Sequence, residues 1–456
     1  MLLSLVPRGA AWSFVIMVVP SLALSVARGQ TTDPGDTTDQ AEVRQQLAEQ
    51  VDDLLLELAA DTIAERDIAE QNLVKLGELG AIPLDDFLAM LPADSADLPP
   101  AVRDRIKSVR GVLESRRARA ATAGGRVTLT AAGWKLSELL DEIEKQTGNK
   151  VVDAREQFGQ AETDPPVTLV ADNEPFWSVL DQALDQTGLD LYGYGDTPGV
   201  LRLVIRQPNR TNRYDSGSYA GPFRFEPTDA IATRGLRNTA DRSLRVKLEI
   251  AWEPSLQPIA LGVPIDAMTV LVQGGRPLAT TQPGRVFNIE VQPGTPSIDI
   301  TLPFELPPRD AGRIESITGT LLALLPGRHE QFVFDNLSSD KPLAQTKGGV
   351  EVTLDRVRQN NEIWEVQMQL KLADDNDALA SHRSWVFANT TYLEDAEGNT
   401  IEHVGFDTTK QTNDTVGITY LFDLPDGIEG MKWVYKTPAA IVSQEFDIEL
   451  GAIELP

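Results

Sequence analysis

The sequence predicts a multidomain α+β protein: an N-terminal helical segment, a duplicated βαβ module, and two antiparallel β-sandwich domains of immunoglobulin-like type. Three observations predict it. Apolar residues recur at helical spacing between residues 41 and 121, a block of residues repeats at a forty-residue offset between 127 and 188, and beyond residue 211 the helical period gives way to alternation. The chain has 456 residues, 41% of them hydrophobic and 24% charged. That is enough for about three domains of ~150 residues, each with a core of its own, and the composition argues against global disorder.

Residues 1–29 read as a signal peptide. Arg8 supplies the positive region, Ala10–Ala27 is almost wholly apolar, and small residues precede two cleavage points, after Ala27 or after Gly29. The rival reading is an uncleaved anchor, against which stand Pro20 and the small residues before Gln30. No later segment has the ~20 continuous apolar residues that cross a bilayer. The expected location is therefore exported, periplasmic or extracellular, with no transmembrane span in the mature chain. Residues 30–40 contain no apolar residue and read as a disordered linker.

A formal charge of −27 excludes nucleic acid as a main partner, because phosphate is repelled. The absence of cysteine removes disulfides, thiolate nucleophiles and Cys-based metal sites together.

Between 41 and 121, Val43, Leu47, Val51, Leu54 and Leu58 share one helix face. Ile63, Ala69, Leu73 and Leu76 form a second run. Pro83 starts a third helix and Pro99-Pro100 a fourth, which carries Val102, Ile106, Val109 and Leu113. The order from Arg66 and Ala69 through Leu76-Gly77 to Pro83-Leu84 and Val102-Arg103 resembles a HEAT-like helical hairpin over residues 61–114. A free-standing solenoid needs about three repeats, so a cap or docking segment is expected. Seven Arg and one Lys fall between Arg103 and Arg126, read as cations gathered near a helix C-terminus or as a patch for an anionic partner.

The repeat is the most informative stretch. Of 22 positions from Val127 to Gly148, nine are identical to their counterparts forty residues on, among them Val-Thr-Leu, Leu140-Asp141 and Gln146-Thr147-Gly148. Each copy reads as strand, helix, strand, the helix closing on a Gly in the left-handed cap position. Two such units are expected to share one sheet, followed by a hairpin through Gly195–Gly199 into the strand Val200–Arg206. Gly193–Gly199 leads into a strand rather than a helix, which excludes a phosphate loop. The pattern VTL…LSELLDEIEKQTG…VTL…WSVLDQALDQTG…LRLVI resembles the secretin and TonB short N-terminal domain over residues 126–206. That resemblance implies an envelope module that binds proteins or builds rings and carries no catalytic residues. The outer-membrane barrel that usually comes after such a module is missing from the pattern of the C-terminal half.

In that half, Leu244, Val246, Leu248, Ile250 and Trp252 alternate with polar residues, as do Trp364, Val366, Met368, Leu370 and Leu372. Sandwiches are expected over 216–335 and 348–456, joined by a linker from Asn336 to Gly349. Three His exist, His329, His382 and His403, with neither a nucleophile elbow nor zinc-ligand spacing. Asp374-Asp375-Asn376-Asp377 lacks the EF-hand spacing and reads as a solvated turn.

The expected function is that of a non-enzymatic envelope protein without cofactor or metal, mediating protein–protein interaction or scaffolding. A partner strand added to an exposed sheet edge is the expected mode, with Val200–Arg206 as candidate and Arg202 and Arg206 on one face. The alternative is a cell-wall or glycan-binding protein acting through Trp385 or Trp433.

Overall fold

The computed structural model describes residues 36–456 apart from 93–97, 162, 194–198, 215, 239, 293, 373–383 and 426, and apart from the side chains of 36–40 and 384. The signal-peptide segment, the turn through 194–198, Asp374–Asp377 and His382 lie outside the described residues. Among those described, no helix is long and apolar enough to cross a membrane. The chain is mixed α+β, mostly strand, and divides into two compact units, Met1–Val109 and Arg110–Pro456.

The first unit contains α1 (Asp36–Glu57), α2 (Ile63–Glu78), α3 (Leu84–Met90) and the start of α4 (Pro100–Ala121). Leu47, Val51, Leu58, Ala69, Leu73, Phe87, Val102 and Ile106 are buried, as the helical spacing requires. Thr62 caps α2 by accepting from the Glu65 backbone N–H, while Glu65 reaches back to the cap. Arg105 reaches Asp67 at 2.8 Å and Glu70 at 2.6 Å, so this member of the basic stripe serves an internal ion pair. The helix α1 begins five residues inside the segment expected to be linker.

In the second unit come β1 (Arg126–Lys135), α5 (Leu136–Thr147), β2 (Lys150–Asp153), β3 (Pro166–Pro175), α6 (Phe176–Thr187), β4 (Leu189–Leu191) and β5 (Val200–Ile205). The forty-residue offset is visible in the bounds of the paired elements β1/β3 and α5/α6. Strand sharing differs from the expectation. The strands β1 and β3 pair with each other, antiparallel, while β5 lies between β2 and β4 in a separate three-stranded sheet. Because β1 lies in a different sheet from β2, and β3 in a different sheet from β4, neither copy is a parallel βαβ unit. Val127, Leu129, Val167, Leu169, Leu139, Ile143, Val179 and Leu184 share one buried core.

The repeated residues have equivalent jobs. Gly148 and Gly188 close their helices at φ 73° and 66°. The Thr147 and Thr187 hydroxyls each donate to the carbonyl four residues earlier. Gln146 Oε1 accepts from the Thr128 N–H at 2.9 Å, and Gln186 Oε1 from the Thr168 N–H at 3.0 Å. The hydroxyls of Thr128 and Thr168 accept from the N–H groups of Asn173 and Gly133, two positive-φ residues again forty apart.

The rest of the chain is antiparallel sheet: β6 (Ser218–Ala220), β7 (Phe223–Arg234), β8 (Arg242–Trp252), β9 (Ala260–Pro264), β10 (Thr269–Val272), β11 (Arg276–Leu278), β12 (Val286–Glu290), β13 (Ser297–Phe304), β14 (Arg313–Phe334), β15 (Leu343–Lys347), β16 (Val350–Asn360), β17 (Ile363–Leu372), the short α7 (Ser384–Phe387), β18 (Thr391–Glu394), β19 (Thr400–Glu402), β20 (Gly405–Gln411), β21 (Thr415–Asp423), β22 (Lys432–Leu450) and β23 (Ile453–Glu454). A four-stranded sheet runs β13-β8-β7-β6 and a five-stranded one β15-β16-β17-β21-β20. A nine-stranded sheet is built on the long pair β14–β22 and draws strands from both segments expected to be separate, 216–335 and 348–456.

That pair therefore serves two cores. One half packs Leu321, Leu325, Phe446 and Ile448 with Leu244, Val246, Leu248 and Ile250 of β8. The other packs Phe332, Phe334, Trp433 and Tyr435 with Val352, Met368, Ile418 and Tyr420 of the five-stranded sheet. Between the halves the register skips Gly327 and Ala440, and Ala440 takes φ 49°. A side chain at Gly327 would meet Ala118 Cβ at 2.4 Å, so only glycine fits there. The stretch expected to be linker contains β15, joined to β16 by the two-residue turn Gly348-Gly349, both at positive φ.

Candidate interaction surfaces

The strand β5 is not an edge. Its two sides bond to β2 and β4, which removes Val200–Arg206 as a site of strand addition. Arg202 is half-buried beside Tyr192, Gly199 and Pro254. Arg206 donates to Asp185 Oδ1 at 2.5 Å, to the Leu189 carbonyl at 3.2 Å and to Asn212 Oδ1 at 3.1 Å. Its guanidinium is thus consumed internally, with 9% of the side chain exposed. Trp433 is fully buried, stacks on Phe334 at 5.3 Å and donates from Nε1 to Thr391 Oγ1 at 2.7 Å. Trp385 is buried as well. Neither indole presents a face to a sugar. His329 is half-buried, and burial holds it below the usual imidazole range.

What the sequence did not disclose is a buried charge network that joins the module to the four-stranded sheet. Asp181 on α6 accepts from Arg224 Nη1 at 3.2 Å and from the Tyr219 hydroxyl at 3.0 Å. Arg224 also donates to Glu249 at 2.8 Å and lies 4.6 Å over the Trp177 ring. Arg213 lies 2.6 Å from Asp190 and 3.2 Å from Glu226. Burial alone favours a neutral Arg224, but the carboxylates of Asp181, Glu249 and Glu226 reverse this and hold it above its ordinary range. A second tie is Glu253, buried just past the end of β8, which accepts from the Gly125 N–H at 2.8 Å and from Asn149 Nδ2 at 2.6 Å. Burial pushes its carboxyl up, against the pull of those two donors. In the Asp181–Arg224 network each charge lies near an opposite one, and together with Glu253 it ties α6 and its surroundings to β7 and β8.

Asp181 is one of the nine repeated residues, yet its counterpart Asp141 is exposed. The duplication therefore gave no warning of the network. The only signal was the density of charge in Arg213, Arg224 and Glu226, soon after the repeat.

Among the described residues β13, β15 and β20 end their sheets, and a further open edge lies on β7. The short β6 covers β7 only at Phe223–Phe225, and the remainder of β7 pairs on one side, with β8. From Asp229 to Arg234 the register is regular, and the Gly235 N–H donates to the Asp241 carbonyl. Antiparallel alternation then turns the N–H and C=O groups of Ala230, Ala232 and Arg234 outward. Among the described residues nothing bonds to them. Residues 228–234 are exposed except Ala230, which is half-buried. Beside the end of β7 runs an open groove of ≈ 360 Å³, floored by Leu306, Pro307, Ala311 and Leu455. Arg234 and Arg309 also line it, and no acidic residue does.

Comparison with known protein families, with curated proteins and with solved structures returns no match for this chain.

Proposed function

We propose that the chain is a non-enzymatic exported envelope protein that holds other proteins by strand addition. In this reading, residues 126–206 are a module of secretin/TonB short N-terminal type and the sheets are sandwiches. The module is fastened to the sheet by the Asp181–Arg224 network, and the docking edge is the outer half of β7. The observation that carries the reading is the run Asp229–Arg234, a strand edge with its outward backbone groups unpaired. An unpaired edge is a template for another strand, and proteins normally cover or blunt one they do not use.

Ala232→Pro tests it. Proline removes one outward donor without touching the ladder to β8, and edge strands tolerate it. The full chain, recovered from its envelope with chemical cross-linking, should retain partner proteins that the folded Ala232→Pro variant loses. Identical protein sets from both would refute strand addition at β7. Wall polysaccharide retained equally by both would favour the glycan reading instead.

A further inference from the structure

We infer that the open edge of β7 takes an extended acidic segment of a partner protein, an inference that rests on the strand-addition reading and specifies its chemistry. In a chain of net charge −27, the edge ends in uncompensated positive charge. Arg234 stands directly opposite Arg242 in the β7–β8 ladder, Arg237 lies in the connecting turn, and Arg309 lines the groove. All four are exposed, and among the described residues none has an ion-pair partner. Like charges directly opposite each other on a sheet are destabilising, so the pair Arg234–Arg242 is relieved by an anion placed between or beside them.

The alternation fixes where that anion goes. Ala230, Ala232 and Arg234 share a sheet face with Leu244 and Val246, the face that looks toward the core and the groove. A strand added beside β7 directs alternate side chains to that same face. Apolar ones cover Leu306, Pro307 and Leu455, and a carboxylate at the hairpin end meets Arg234, Arg242 and Arg309. A second copy of this chain is the competing occupant, since antiparallel pairing of two β7 strands over 230–234 sets Arg234 beside Ala230 rather than beside another arginine, and concentration-dependent self-association of the free chain through this edge would overturn the acidic guest. An anionic membrane has no strand to offer the unpaired backbone groups, and the net charge opposes its approach.

The test uses the full chain and a short synthetic peptide with Val at alternate positions, Thr between them and Glu in place of the last Val, beside the same peptide with Lys for Glu and vesicles containing anionic lipid. Binding is read by fluorescence anisotropy, or by co-sedimentation for the vesicles. The Glu peptide should bind, the Lys peptide and vesicles should not, and added salt should weaken the binding. Arg234→Glu with Arg242→Glu, both solvent-exposed changes, should lower affinity for the Glu peptide by about tenfold or more and admit the Lys peptide. Ala232→Pro should abolish binding of either. Equal binding of both peptides, or unchanged affinity in the charge-reversed variant, overturns the acidic specificity. If Ala232→Pro still abolishes that binding, strand addition survives. No binding of the Glu peptide, or binding of vesicles in its place, overturns the inference. Binding of the Glu peptide undiminished by Ala232→Pro overturns strand addition at this edge as well.

Discussion

Two antiparallel ribbons in this protein treat their outer edges in opposite ways. In the β1–β3 ribbon, a helix glutamine covers each strand: Gln146 and Gln186 accept from the N–H groups of Thr128 and Thr168. In the β7–β8 ribbon, six residues of edge from Asp229 to Arg234 receive no such partner. The difference lies in the elements adjoining each strand. A helix that returns beside β1 or β3 carries a side chain long enough to reach the edge. The residues preceding β7 form only the three-residue β6, which lies opposite Phe223–Phe225 alone. Where a plug is absent the backbone groups stay open, and exposed arginines stand at the end of the edge.

The largest expected effect comes from the seam that anchors one ribbon to the other. Arg224→Ala leaves Asp181 buried without its cation and should cost about 3–5 kcal/mol in denaturant titration. A loss near zero would mean that the two regions do not depend on this fastening.

Removing the plugs should cost less. Gln146→Ala and Gln186→Ala should each lower stability by about 1 kcal/mol and leave the β1–β3 edges open, so that size-exclusion profiles become concentration-dependent. Unchanged stability in both variants would remove the contrast between the ribbons.

The smallest effect is a pH dependence. Burial raises the Glu253 carboxyl in the folded protein, above its unfolded value of about 4.3. The folded state therefore binds the proton more tightly, so this group favours folding at low pH. Its contribution declines as pH climbs from about 4.3 through the raised value. Glu253→Gln should flatten the fall of stability with pH in that window while Asp181 and Glu226, raised by burial too, keep part of the slope. An unaltered slope would show that Glu253 does not titrate as its surroundings require.

Much of the fold was legible because it is local. Helical spacing located α2 to α4, the Gln-Thr-Gly repeat fixed the ends of α5 and α6, and alternation marked β8 and β17. Pairing was not legible, since nothing in Val127–Leu129 says whether it meets Lys150–Val152 or its own duplicate at Val167. Gly348-Gly349 was a hairpin signal within a stretch read as linker. The site was the least legible part. This edge exists because its neighbour is short, and β6 beginning only at Ser218, opposite Phe225, has no signature in β7 itself. Arg206 and Trp433 had the right chemistry for a partner, but burial gave each a partner inside the molecule.

Hydrogen exchange at single amides tests the central contrast most directly. The N–H groups of Thr128 and Thr168 should be protected, whereas those of Ala230, Ala232 and Arg234 should exchange close to the unprotected rate while the alternating amides of Ile231 and Thr233 remain slow. Protection throughout Ala230–Arg234 in the free protein would mean that the edge is already paired, and β7 would have no docking strand to offer.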